Sequence, residues 1–409
     1  MAQEFSYPKH RIKILLLENV HRAARESLTE AGYSVTEVPR SLPTEDLLEA
    51  IEDVHVLGIR SKTKITAEHF ARARRLLAVG CFGVGTNQVA LDAAAAKGIP
   101  VFNAPYSSTR SVAELTLGNV IMLARKASEG STKLHRGIWE KSAKGCHDIR
   151  GKTLGLIGYG HIGQQAGLLS EAVGMNVIFY DQVKRLPLGN AKPVGSLSEL
   201  LSHSDFVSIH VPAISGGGAL IGELELSQMK EGSYLINVSR GSLVDLVALR
   251  SALESKHIGG AALDVFTDEP KTNQAEFKCE LTGVENVILT PHIGGSTEEA
   301  QESIGREVAA SFIQYIDNGT TVGAVNFPQV NLPAFPNSHR ILHIHKNVPG
   351  AAKEINKLVF DLGANINGQY LGTHKDIGYM IMDIDRELSS EVKENISCLP
   401  TNIKTRILY

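Results

Sequence analysis

The residues best equipped for chemistry begin at a glycine run in the middle of the chain. Residues 153–163, TLGLIGYGHIG, leave an apolar strand-like run through Gly158-x-Gly160-x-x-Gly163 and enter a helical pattern of small residues. Gly158 permits a tight turn, Gly160 lets the backbone approach a pyrophosphate, and Gly163 lets helix and strand pack closely. His161 and Ile162 open the helix, whose free N–H groups and positive partial charge favour the same anion. A second apolar run, residues 176–180, stops at Asp181. A carboxylate there can accept from both ribose hydroxyls and repels a 2′-phosphate, so the pattern predicts NAD rather than NADP. Gly80, Gly83 and Gly85 form another cluster after an apolar run, but their order is wrong for this purpose.

Three later segments put polar residues just past strand-like runs. In Ile236-Asn237-Val238-Ser239-Arg240-Gly241, a guanidinium at a strand end can bind a carboxylate through two parallel hydrogen bonds. In Asp264-Val265-Phe266-Thr267-Asp268-Glu269-Pro270, Asp264 ends a strand and can contact the nicotinamide side of a cofactor, and Glu269 follows in the loop. In Leu289-Thr290-Pro291-His292-Ile293-Gly294-Gly295-Ser296, His292 can deliver or remove a proton near neutral pH. Singly, each has an ordinary alternative: a surface arginine, a solvated acid, one structural histidine among 15. Jointly, at strand ends of one sheet, they predict acid/base chemistry on a carboxylate-bearing substrate.

The elements that must position these residues follow from periodicity. Strands at 12–17, 33–38, 54–59 and 76–79 alternate with helical stretches such as 23–31 and 44–52, which predicts a parallel α/β domain without a fingerprint of its own. It is the candidate substrate domain. A long helical pattern, 111–133, leads into the fingerprint unit, which continues through strands at 205–210, 234–238, 261–265 and 287–289. Ligands of open α/β sheets bind beyond the carboxyl ends of the strands. A helix over 297–317 is expected to return to the first domain. Residues 326–338, with Pro328, Pro333 and Pro336, read as a linker. Beyond it lies a βαββαβ pattern, with strands at 340–345, 366–371, 378–384 and 404–408 and helices near 351–362 and 387–397. About 70 residues make a small core, so this module is expected to pair with its copy in another subunit.

Composition bounds these readings. A chain of 409 residues exceeds one ordinary domain, and 43% hydrophobic with 21% charged residues fits a soluble globular protein. A net charge of −3 gives no electrostatic case for nucleic acid or an anionic membrane. No apolar run approaches the ~20 residues that span a bilayer. Residues 1–10 are polar, and the apolar run 14–17 is too short for a signal-peptide core. Cys81, Cys146, Cys279 and Cys398 are far apart with no CxxC pair. They read as reduced, mostly buried thiols of a cytosolic protein, with no disulfide or metal site expected.

The three strand-end segments and the GYGHIG run resemble, in their order, the signature blocks of the D-isomer-specific 2-hydroxyacid dehydrogenase family over the first ~335 residues. The resemblance implies an α/β fold: a Rossmann-type NAD-binding domain over 109–295, a flavodoxin-like discontinuous substrate domain over 1–108 plus 296–330, and a C-terminal βαββαβ ACT domain over 338–409. It implies His292 as acid/base, Glu269 as its partner and Arg240 as the substrate clamp. Its cofactor loops map onto His161, Ile162, Asp181, Val238, Ser239, Arg240, Asp264 and His292 through Gly295. The nearest branch oxidises 3-phospho-D-glycerate in serine synthesis. That likeness implies a phosphate site at Arg60, Ser61 and Lys62, with Lys141 as a further cation, and a serine effector site at His345, Asn347 and Asn365. It also implies a homotetramer. Other 2-hydroxy acids remain alternatives, among them 2-hydroxyglutarate formed from 2-oxoglutarate, as does an NAD-sensing corepressor-like protein. One departure from the family pattern is the absence of a Gly-Gly pair in residues 331–339, whose prolines are expected to stiffen the connection.

Overall fold

A computed structural model describes residues 7–214, 216–270 and 275–409. The first six residues of the polar start lie outside the described residues. The chain divides into two compact units, Met1–Ser107 with Gln301–Tyr409, and Ser108–Ala300.

In the first unit, Lys13–Leu17 (β1) reads KILLL, and all four apolar residues are buried. Ile14 and Leu16 enter one core while Leu15 and Leu17 enter the other, as a strand covered on both faces requires. Ser34–Val38 (β2), Val56–Ile59 (β3), Ala78–Cys81 (β4) and Val101–Asn103 (β5) complete a parallel sheet in the order β2-β1-β3-β4-β5. The order reverses between β1 and β3. The helix Glu298–Asn318 continues into this unit and packs Val308 and Phe312 onto the sheet at Gly80.

The second unit holds seven strands: Thr153–Ile157 (β6), Asn176–Tyr180 (β7), Lys192–Pro193 (β8), Phe206–Ile209 (β9), Ser233–Asn237 (β10), Ile258–Leu263 (β11) and Val287–Leu289 (β12). Their order is β12-β11-β10-β9-β6-β7-β8 and every pairing is parallel, the doubly wound arrangement of dinucleotide-binding sheets. The long pattern at 111–133 is two helices, Thr109–Ala124 and Ala127–His135, because Lys126 between them is left-handed (φ 47°). Periodicity alone does not register a one-residue break.

The C-terminal segment forms four antiparallel strands, Ser338–Lys346 (β13), Ile366–His374 (β14), Ile377–Asp385 (β15) and Asn402–Leu408 (β16), arranged β14-β15-β13-β16 with two helices. Alternation along β13 and β15 splits its apolar residues. Ile341, Met380, Met382 and Ile384 pack against Ile355, Val359, Val392 and Ile396 of the helices. Leu342, Ile344, Tyr379 and Ile381 instead join the core that holds Ile12, Phe312 and Phe327. Each face of the sheet therefore has apolar partners within the chain, the helices on one side and the core of the first unit on the other.

The linker read at residues 326–338 is tied to the first unit: the Asn326 side chain bonds the backbone of Val101 and Ile99, and Thr321 Oγ1 donates to Pro328 O. Arg340 forks onto Asp383 at 2.7 and 2.6 Å and also donates to Asn318 O and Pro333 O. The cysteines are unpaired, but only Cys81 is buried and Cys398 is exposed, since the other three lie outside the sheets.

Candidate active site

The glycine turn is built as its spacing requires. Gly158 is left-handed (φ 94°), and a Cβ on Gly163 would sit 2.3 Å from Gly158 O. A Cβ on Gly160 would meet nothing within 4 Å, which leaves open space where the helix His161–Ala172 begins. That opening, with the N–H groups of His161 and Ile162 in the first helical turn, fits a pyrophosphate. Asp181 follows β7 and accepts from Tyr159 N (2.9 Å) and Val183 N (2.9 Å), which fixes its carboxylate beside the glycine turn. Arg185 Nε lies 3.4 Å from the same carboxylate. Burial acts against the charged form of Asp181, but those two N–H groups and Arg185 outweigh it and the pKa is lowered.

Beyond β10, the buried Asn237 shapes the turn that carries the arginine. Its Nδ2 donates to Arg240 O (2.8 Å) and its Oδ1 accepts from Ser239 N (3.1 Å). Val238 is buried, and Ser239 Oγ donates to Ile209 O (2.6 Å). Beyond β11, Asp264 is 1% exposed and organises the neighbouring loop. It accepts from Thr290 Oγ1 (2.6 Å), Ile293 N (2.9 Å) and Gly294 N (2.8 Å). His292, held within that loop, is left-handed (φ 54°), a conformation seldom adopted by non-glycine residues outside constrained sites.

His292 Nδ1 lies 2.8 and 3.0 Å from the two carboxylate oxygens of Glu269. The hydrogen bond to Glu269 raises the histidine pKa above its ordinary 6.5, against opposing burial. Burial pushes the Glu269 carboxyl up, but the bond to His292, the Phe266 N–H and the charges of His292 and Arg240 bring it below the usual value. Because Nδ1 faces the carboxylate, Nε2 is left to exchange a proton with a ligand. The second unit thus joins Glu269 to His292 directly, and Arg240 lies close enough to bias both charges. Lys141 lies in the exposed irregular stretch after Trp139, and no hydrogen bond or ion pair among the described residues ties it to these three.

In the first unit, Arg60, Ser61 and Lys62 follow β3 directly, with Ser61 and Lys62 exposed. Gln88 Nε2 donates to Arg60 O (2.8 Å), and Glu18 accepts from Lys62 N and Thr63 N. In the C-terminal module, His345 is buried on β13, stacked on His343 with centroids 5.2 Å apart. Asn347 Nδ2 donates to Lys375 O, and Asn365 Nδ2 donates to Asn367 Oδ1. Among the described residues no cluster of three His, Cys, Asp or Glu side chains could hold a metal, and no helix is long and apolar enough to cross a membrane.

Sequence reasoning passed over three residues whose side chains hold the backbone of these loops: Asn237, Glu18 and Gln88. Asn237 and Glu18 stand at or just past the carboxyl end of a strand, the rule that singled out Arg240 and His292, so the same rule carried through both sheets would have flagged them.

Comparison with known proteins extends this geometry. A family model for the NAD binding domain of D-isomer specific 2-hydroxyacid dehydrogenases matches residues 117–294. A D-3-phosphoglycerate dehydrogenase of Dictyostelium discoideum is 52% identical over 404 residues, 99% of each chain. One from Escherichia coli K12 is 51% identical over 407 residues, again 99% of each. This chain belongs to the D-isomer-specific 2-hydroxyacid dehydrogenase family. Among solved members, an Aquifex aeolicus D-lactate dehydrogenase complexed with NAD and lactic acid aligns with a TM-score of 0.63 at 28% identity, covering 74% of this chain and 95% of that one. As a member of the D-isomer-specific 2-hydroxyacid dehydrogenases, the chain is an NAD-dependent oxidoreductase.

Proposed function

We propose that the chain oxidises 3-phospho-D-glycerate to 3-phosphohydroxypyruvate with NAD, at the entry to serine synthesis. The observation that carries this reading is the His292–Glu269 pair beside Arg240, in a chain whose full-length relatives are named for that substrate. Bound nicotinamide supplies the hydride acceptor, and Gly158 to Gly163 with Asp181 would hold its dinucleotide. Arg240 neutralises the substrate carboxylate through its guanidinium. Neutral His292 takes the C2 hydroxyl proton on Nε2 as the C2 hydride departs and the carbonyl forms. Glu269 then faces an imidazolium, whose charge it stabilises. In the reverse direction that imidazolium returns the proton to the nascent alkoxide. Arg60, Ser61 and Lys62 bind the phosphate, with Lys141 as a further cation, and fix which carbon faces the cofactor.

The regulatory reading rests on the C-terminal module. L-serine would act as a feedback inhibitor through His345, Asn347 and Asn365, in a homotetramer of cytoplasmic subunits. His345 Nδ1 is buried without a protein partner, which suits a module that takes a polar ligand, and the four unbridged cysteines suit a reducing compartment.

The decisive experiment follows NADH formation with 3-phosphoglycerate, 2-hydroxyglutarate and lactate, with and without serine. 3-Phosphoglycerate is expected to give the highest kcat/KM, and millimolar serine to lower the rate. His292→Ala is expected to lose ~100-fold or more in kcat while still binding NAD. A rate within a few-fold of the parent would remove His292 from the mechanism.

A further inference from the structure

We propose that Glu18 is a positioning residue for the phosphate end of the substrate, holding the 60–63 loop in the geometry that lets Arg60 grip an anion. The inference rests on the reading of Arg60, Ser61 and Lys62 as the phosphate site. Glu18 lies just past β1 and Arg60 just past β3, the neighbouring strands between which the sheet order reverses. Crevices at such switch points are where open α/β sheets bind ligands.

An acid beside an anion site would ordinarily repel its ligand, yet here both oxygens are turned to the backbone. Oε2 accepts from Lys62 N (2.9 Å) and Oε1 from Thr63 N (2.7 Å), and Glu18 is only 7% exposed. The chain reaches this arrangement by placing Glu18 (φ 65°) and Asn19 (φ 54°) consecutively in the left-handed region, which side chains other than glycine seldom adopt. From the other side, Gln88 Nε2 holds Arg60 O at 2.8 Å. The loop backbone is therefore fixed at both ends, while the side chains of Ser61 and Lys62 stay exposed. A guanidinium fork binds phosphate well only when its base is fixed, because two parallel hydrogen bonds tolerate little misplacement.

Glu18→Gln tests this in the full-length enzyme. An amide keeps one acceptor oxygen and turns an NH2 toward the other N–H, so one of the two bonds is lost without a change of size. The KM for 3-phosphoglycerate is expected to rise about tenfold, with kcat within about threefold and the KM for NAD within about twofold of the parent. Reduction of hydroxypyruvate, which lacks the phosphate, is expected to change by less than about threefold. A folded variant with unchanged phosphoglycerate KM overturns the inference, as does an equal loss with both substrates. If Glu18→Gln does not fold, Glu18→Asp is read by the same criteria, since it keeps the charge but cannot reach both N–H groups. Arg60→Ala runs alongside. Should it leave the phosphoglycerate KM unchanged, the phosphate reading falls and the role of Glu18 with it. Should Arg60→Ala raise that KM while the Glu18 variants do not, only the role of Glu18 falls.

Discussion

His292 can exchange a proton with substrate through one nitrogen, because Glu269 occupies the other at 2.8 Å. That contact sets a pH window with a definite sign. Oxidation needs neutral imidazole, so kcat/KM for oxidation should fall on the acid side with a midpoint above 6.5, where the hydrogen bond to Glu269 has moved it. Reduction needs imidazolium and should instead fall as pH rises through the same midpoint. Glu269→Gln removes the carboxylate and should move both limbs to lower pH, toward or below the ordinary histidine value. Paired pH–rate profiles check this, and an unmoved midpoint would mean that the carboxylate does not hold the proton. Residue type and strand-end position singled out His292, and the family resemblance supplied Glu269 as its partner. The left-handed backbone of His292 was not legible, because it depends on bonds to a carboxylate 28 residues earlier in the chain.

At the level of elements, β11 and β12 end side by side, and Asp264 at the end of one holds the loop that follows the other. Asp264→Ala would leave the buried Gly294 N–H and its neighbours without a partner, at a cost of about 2–4 kcal/mol for the bonds lost. Denaturant unfolding should register that loss, with a fall in kcat as His292 loses its fixed orientation. Stability and kcat both near parental values would show that the loop holds itself. Strand and helix periodicity made most of the two parallel sheets legible, since long buried runs such as KILLL have few other uses. The break at Lys126, the short strand β8 and the grip of Glu18 on residues 62 and 63 were not legible. They depend on single dihedral angles or on partners distant in sequence.

Over the whole molecule, the decisive feature is that one face of the C-terminal sheet lies in the core of the first unit. Leu342, Ile344, Ile377, Tyr379 and Ile381 are each no more than 3% exposed there. Five such side chains amount to on the order of 10 kcal/mol of burial, comparable to the net stability of a whole domain. Arg340 adds a bidentate bond to Asp383 while also holding Asn318 O and Pro333 O. Deleting residues 338–409 is therefore expected to give aggregation or loss of cooperative melting in the first unit. A soluble truncation that melts like the parent would refute this.

It follows that the terminal module is no detachable cassette. Evolution or an engineer who replaces it on this scaffold must also supply a matching apolar wall. Point changes on its exposed surface would be tolerated where amputation would not.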